Sequence, residues 1–228
     1  MSRTDDAGEV GRGPLSRGAA AIYRFLVLEV LLLVACLPAM VVMLLLGKDA
    51  SNLPLAVLAL LPVAPALVAG VAAVRAWSRD DDLAPARPFV RAYLRDVGAV
   101  LQWWVPALLV LAVLVVNVVH ADAVAGGAAL RPVLLFLLTL GTAWIGHMVI
   151  LTACFHFRAR DAARIALAEL GTQWRFSLGV LALLIVGLAL LLWSEIALLA
   201  LAWAFVATLA VMARPMVVDV TERFTRRE

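Results

Sequence analysis

The sequence is poor in the groups that do chemistry. Two cysteines and three histidines are few for 228 residues, and His120, His147 and His156 have no metal-ligand spacing. No Gly-x-Ser-Gly falls in an apolar stretch, and all six serines lie outside such stretches or near their ends. No aspartate pair sits inside one, and there is no glycine-rich cradle for phosphate. Intramembrane hydrolysis and nucleotide chemistry each need one of these arrangements. The expectation is therefore a chain that is not an enzyme, with no catalytic residues, no metal site and no cofactor. Cys36 and Cys154 fall within apolar stretches, where the role of a small hydrophobe is expected rather than a disulfide or a metal site.

Charge is scarce as well. Charged residues make up 15% of the chain and hydrophobic ones 65%, with a mean hydropathy of +1.02, which is outside the range of soluble domains. A helix needs about 20 apolar residues to cross the hydrocarbon core of a bilayer. Six stretches meet that requirement: Phe25–Leu46, Leu53–Val74, Ala99–Val119, Pro132–His156, Phe176–Trp193 and Ile196–Ala213. The last two are separated only by Ser194 and Glu195, which predict a tight turn. The fold class is thus all-α, a polytopic integral membrane protein with six transmembrane helices in one domain over residues 21–214.

The scarce charge is placed asymmetrically. Seventeen of the 19 basic residues fall in every second gap between the stretches. They form four clusters, at Arg3, Arg12, Arg17 and Arg24, then Arg75, Arg79, Arg87, Arg91 and Arg95, then Arg158, Arg160, Arg164 and Arg175, and finally Arg214, Arg223, Arg226 and Arg227. Only Lys48 and Arg131 occupy the other gaps. An excess of Lys and Arg marks the cytoplasmic side, so this alternation predicts both termini on the cytoplasmic side of the membrane. Residues 1–20 read as a polar, disordered leader and residues 215–228 as a cytoplasmic tail, with the first span acting as an uncleaved targeting signal. The net charge of +3 follows from the same arginines, so nucleic acid is not an expected partner.

The cytoplasmic connections carry helical patterns. After the acidic run Asp80–Asp82, Pro88 suits a first helical turn, and Arg87, Arg91 and Arg95 recur on one face. Phe89, Val90, Tyr93, Leu94 and Val97 make the other face. Between the fourth and fifth spans, Ala163, Leu167, Leu170 and Trp174 form an apolar stripe beside Arg160 and Arg164, and Gly171 is a plausible helix end. Both segments read as basic amphipathic helices at the membrane surface. Arg87, Arg91, Arg95, Arg158, Arg160 and Arg164 are accordingly candidates for docking a partner or anionic lipid headgroups. Spans 2–3 and 4–5 share this layout, as a parallel internal repeat would.

Two polar residues stand inside spans. Glu29 is the one acidic residue within a span, and intramembrane charge is costly. It lies five residues past Arg24, so snorkelling or pairing with a base accounts for it, and a proton relay with His147 is the sharper reading. His147 sits beside Thr139, Thr142 and Gly146, and a histidine there is expected to hydrogen-bond across a helix interface. Thr142 with Gly146, Ala66 with Gly70 and Ala69 with Ala73 have the spacing that lets helices approach closely; such faces would permit a homo-oligomer. Pro62 and Pro65 mark the second span as the best candidate for a kink. Trp77, Trp103, Trp104, Trp174 and Trp193 read as an interfacial belt, and Trp144 and Trp203 as packing residues.

The chain resembles the YesL-like family, small bacterial multi-pass membrane proteins of unknown function. The likeness rests on Gly13-Pro14-Leu15 before the first span and Cys36-Leu37-Pro38 within it. It continues in the Pro–small-residue segment of PVAPALVAGVAAVRAW, the Phe/Arg-rich RPFVRAYLRDVG, and the second basic linker FRARDAARIALAELGTQWRF. The resemblance implies an accessory role in bacterial carbohydrate uptake, with the permease of an importer of the ATP-binding-cassette type as the partner. The reading is a non-enzymatic accessory or scaffold protein working through its basic cytoplasmic helices. The alternative is a small secondary transporter or channel using Glu29 and His147.

Overall fold

A backbone in hydrocarbon has no water to satisfy its amides and carbonyls, so an apolar chain of this kind can settle only as helices that pair those groups internally. The computed structural model describes residues 14–46, 52–78, 84–123, 126–155 and 157–225, and among them there are helices and turns but no strand. Lys48, Asp80–Asp82, His156 and basic residues Arg3, Arg12, Arg79, Arg226 and Arg227 lie outside the described residues.

The elements are α1 (Pro14–Leu45), α2 (Leu53–Ala59), α3 (Val63–Trp77), α4 (Ala86–Val119), α5 (Gly127–Cys154), α6 (Ala159–Thr172), α7 (Trp174–Trp193), α8 (Glu195–Ala200), α9 (Ala202–Met212) and α10 (Arg214–Thr225). Five segments are long and apolar enough to cross a membrane: Gly18–Leu45, Leu53–Trp77, Ala86–Val119, Gly127–Cys154 and Trp174–Trp193. The number becomes six if α9 and the start of α10, bent by 43° at Ala213, count as one. This is compatible with a multi-pass membrane protein. Large apolar side chains on the outside fit the same placement, among them Leu26, Val30 and Val34 on α1 and Ile185, Leu188 and Leu192 on α7.

Helix α3 is the centre of the molecule. It packs against α1, α4, α5 and α9, and Ala64, Ala66, Val68, Ala69, Val71 and Ala73 are all buried. Small side chains let four helices approach one axis. A Cβ on Gly70 would sit 2.9 Å from Val206 of α9, and one on Gly146 of α5 would sit 2.6 Å from Val180 of α7. The close-packing faces read from the sequence are thus occupied within the chain. Gly179, early in α7, approaches Met212, late in α9, so these helices run antiparallel. Between them, Ser194 makes the expected turn in extended conformation, and its hydroxyl accepts the Ala197 amide at 3.3 Å.

Two of the stretches expected as spans are broken. The second divides at residues 60–62, where Pro62 and Pro65 contribute no amide protons. The stretch expected as the sixth span, Ile196–Ala213, divides at Leu201 (φ −115°, ψ 8°) although no proline or glycine lies near.

Several sequence expectations change. Helix α1 begins at Pro14, inside the segment read as a leader. The first basic linker is no separate surface helix, because α4 runs unbroken from Ala86 to Val119. Gly98 is the only glycine in that stretch, and Pro106 is accommodated inside the helix. Trp103 and Trp104 then fall mid-helix rather than at an end, and with Trp77 they are buried; only Trp174 and Trp193 of the expected belt are exposed. The segment read as a tail is helical as far as Thr225, and its Met216 and Val220 are buried.

Candidate functional site

The six candidate arginines lie on the first turns of α4 and on α6, two helices in contact. The first turns of α4 bury Phe89, Ala92 and Asp96, which turns Arg87, Arg91 and Arg95 outward, and all three are exposed. Arg95 is not free: it makes a two-pronged ion pair with Asp96 at 2.8 and 2.7 Å. Helix α6 packs beside α4 and α5, and the Trp144 indole on α5 donates to the Ala163 carbonyl at 3.2 Å. Arg158, Arg160 and Arg164 are exposed on it. Apart from Arg95, the side chains of these six make no ion pair or hydrogen bond among the described residues. Two guanidinium sets on neighbouring helices form a cationic surface that anions of any size can reach.

The packed face of α6 is not its expected apolar stripe. Ala162, Ala166 and Glu169 are buried, whereas Leu167 and Trp174 are 59% and 55% exposed. Periodicity identified two faces on this helix, but burial chose the one carrying a carboxylate. Glu169 is 2% exposed. Its Oε1 accepts from Arg223 of α10 at 3.1 Å, and its Oε2 has no partner among the described residues. Arg223 also pairs with Asp219 at 2.6 Å, and Gln173 donates to Asp219 at 3.1 Å. Burial raises the pKa of Glu169; Arg223 opposes that rise and Asp219 adds to it. This α6–α10 network was missed in the sequence, where Glu169 reads as a solvated face of a short basic helix.

The intramembrane candidates lie apart. Glu29 is 9% exposed. Among the described residues it neither reaches the surface nor pairs with a base. Instead its Oε2 accepts the Trp203 amide of α9 at 2.7 Å, and the Ala202 amide also acts on the carboxylate. These belong to the first turn of α9, just past the break at Leu201, where a helix has amides without carbonyl partners. A carboxylate there does the work of a capping side chain and also meets the positive end of the helix dipole. Phe25 closes the site by packing on Trp203, ring centroids 4.6 Å apart. Glu29 Oε1 has no partner among the described residues.

His147 is fully buried on α5. Its Nδ1 lies 3.0 Å from the Ala143 carbonyl one turn back, and Phe176 of α7 meets the ring edge-on at 4.8 Å. Its Nε2 is buried without a partner among the described residues. Helix α3 packs on both α1 and α5, and those two helices share no substantial contact, so Glu29 and His147 are not brought together.

Prolines and tryptophans complete the broken second span. The Trp104 indole donates to the Leu60 carbonyl at 3.1 Å, at the break itself. Trp77 donates to the Pro85 carbonyl at 3.2 Å, fastening the end of α3 to the start of α4. Arg75 donates to the sulfur of Cys154, so that thiol serves as an acceptor at the end of α5; neither cysteine is in a disulfide among the described residues. No group of three metal-ligating side chains comes together among the described residues.

Residues 25–118 match the family described as a protein of unknown function, DUF624. That stretch runs from Phe25 in α1 almost to the end of α4, so it includes Glu29, both prolines of the second-span break, and Arg87, Arg91 and Arg95. It ends before His147 and the second basic helix. No curated protein and no solved structure matches the chain.

Proposed function

We propose that the chain is a non-enzymatic accessory or scaffold protein of the bacterial cytoplasmic membrane, with both termini inside, that docks a partner through its basic cytoplasmic face. One observation carries this reading: Arg87 and Arg91 on α4 and Arg158, Arg160 and Arg164 on α6 stand exposed on adjacent helices, their side chains unpaired among the described residues. The alternation of basic residues along the chain supports the cytoplasmic placement of that face. The resemblance to the YesL-like family makes the permease of a carbohydrate importer the partner to test first.

Arg95 is better left intact in that test, because Asp96 is buried against it. Arg87→Glu/Arg91→Glu should lower recovery of the permease after in-membrane crosslinking by about tenfold, as two surface attractions of up to about 1 kcal/mol each become repulsions. Unchanged recovery from a folded double variant would end the docking reading.

A second reading, a small secondary transporter or channel, draws on Glu29: a buried carboxylate with one unpartnered oxygen beside a broken helix. It requires proton- or solute-coupled flux in liposomes that is lost in Glu29→Gln. Absence of flux under every gradient would dismiss it.

A further inference from the structure

The exposed apolar stripe of α6 faces a groove of about 540 Å³ between α4, α5 and α6. Its floor is the approach of Gly141 on α5 to Leu111 on α4, where a Cβ would meet the leucine at 3.5 Å. The lining is graded along its length. At one end are Val110, Leu111 and Leu114 of α4 with Leu137 and Leu140 of α5, and at the other are Gln102, Trp103 and Arg160. Three polar groups therefore collect at one mouth. The Arg160 side chain is exposed and makes no ion pair or hydrogen bond among the described residues. The Trp103 indole N–H belongs to a side chain 5% exposed and has no acceptor among them. Pro106, also in the lining, has no amide to give the Gln102 carbonyl one turn before it.

From Gln102 to Leu114 the helix rises about 18 Å, close to half the roughly 30 Å hydrocarbon core of a bilayer. The groove thus has the length of one leaflet, an apolar wall along that length, and a cation with an unpaired donor where a headgroup would lie. We infer that this groove is a binding site for one anionic phospholipid, its acyl chain along Val110–Leu114 and its phosphate on Arg160. Annular lipid would also coat an apolar face, but it would not select a negative headgroup. The acidic residue next to Arg160, Asp161, does not line the groove.

This inference does not rest on the docking reading, because it is tested on the purified chain without a partner. The full chain, equilibrated in vesicles of phosphatidylcholine with or without phosphatidylglycerol and then extracted, is weighed by native mass spectrometry. One phosphatidylglycerol per chain should be retained in preference to phosphatidylcholine. Arg160→Gln should lower that retention by about fivefold, the effect of one basic side chain on an anionic headgroup, and Arg160→Lys should restore it. Ala107→Phe, which fills the groove, should lose both lipids, while Arg175→Gln, exposed at the start of α7 and off the groove, should keep wild-type retention. Three results would overturn the site: equal retention of both lipids by the wild type, an Arg175→Gln loss as large as that of Arg160→Gln, or full displacement by inorganic phosphate. The last would mean a phosphate site without a chain groove.

Discussion

Two of the apolar segments expected to span are broken, and the breaks are closed by opposite chemistry. In the second span, Pro62 and Pro65 interrupt the ladder, and the Trp104 indole supplies a donor to the Leu60 carbonyl. In the last, the orphans are amides at the start of α9, and the Glu29 carboxylate supplies the acceptor at 2.7 Å. A neutral indole suffices where the carbonyl also receives the Val63 amide at 3.1 Å. A carboxyl acceptor stands where the Trp203 amide begins a helix and a cap from the preceding residue is missing, since Leu201 has no side-chain oxygen. The difference shows that a buried intramembrane carboxylate can be explained by backbone accounting before transport is invoked.

The sharpest way to break this comparison is to remove the acceptor. Glu29→Leu should destabilise the protein by about 3 kcal/mol, because amides at the start of α9 lose a charged hydrogen bond in an apolar setting. Glu29→Gln, which keeps an acceptor oxygen, should lose less than half of that. Denaturant unfolding in detergent, with hydrogen exchange at the Trp203 amide, checks both; equal losses would mean that the charge and not the hydrogen bond matters. Trp104→Phe should cost about 1 kcal/mol, one neutral hydrogen bond with its acceptor still served. A loss as large as that of Glu29→Leu would erase the distinction between the two breaks.

The smallest effect concerns the other buried carboxylate, Glu169, which is salt-bridged where Glu29 is not. Burial raises its pKa, so the stability it contributes is fully present below the ordinary carboxylate range and is lost as pH rises through the raised value. Helix α10 should therefore show higher exchange protection factors at pH about 4 than at about 7, and Glu169→Gln should flatten that dependence. A pH profile that persists unchanged in the variant would assign it to Asp219 or another group.

The two breaks also differ in how well they could be read beforehand. Pro62 and Pro65 announce the first, since a residue without an amide proton interrupts any helix. Nothing in Ile196–Val206 announces the second: the run is Leu, Ala, Ile, Trp and Phe, all compatible with helix. Glu29 was conspicuous as the only acid in a span, yet its distance from Arg24 pointed to the membrane surface, because the amides that need it are 174 positions away in sequence. On α6, the spacing of Ala163, Leu167 and Trp174 is as regular as that of Ala162, Ala166 and Glu169. The bundle buries the second set because Arg223 of α10 reaches Glu169 there. Trp103 and Trp104 were placed at a span end because the basic turns before them looked like a separate helix, whereas α4 is continuous.

By itself the sequence determined that the chain is helical and carries several long apolar segments, where its arginines cluster, and which small-residue faces can pack closely. Those properties depend on composition and on neighbours within one or two turns. Only the tertiary structure decided that α3 is the hub, that Glu29 and His147 stand apart, that the last span is broken and capped by α1, and that α6 leaves its apolar stripe over a groove. Each of these follows from a partner on another helix, and the energy that selects it is the need to satisfy buried backbone and side-chain polar groups across the bundle.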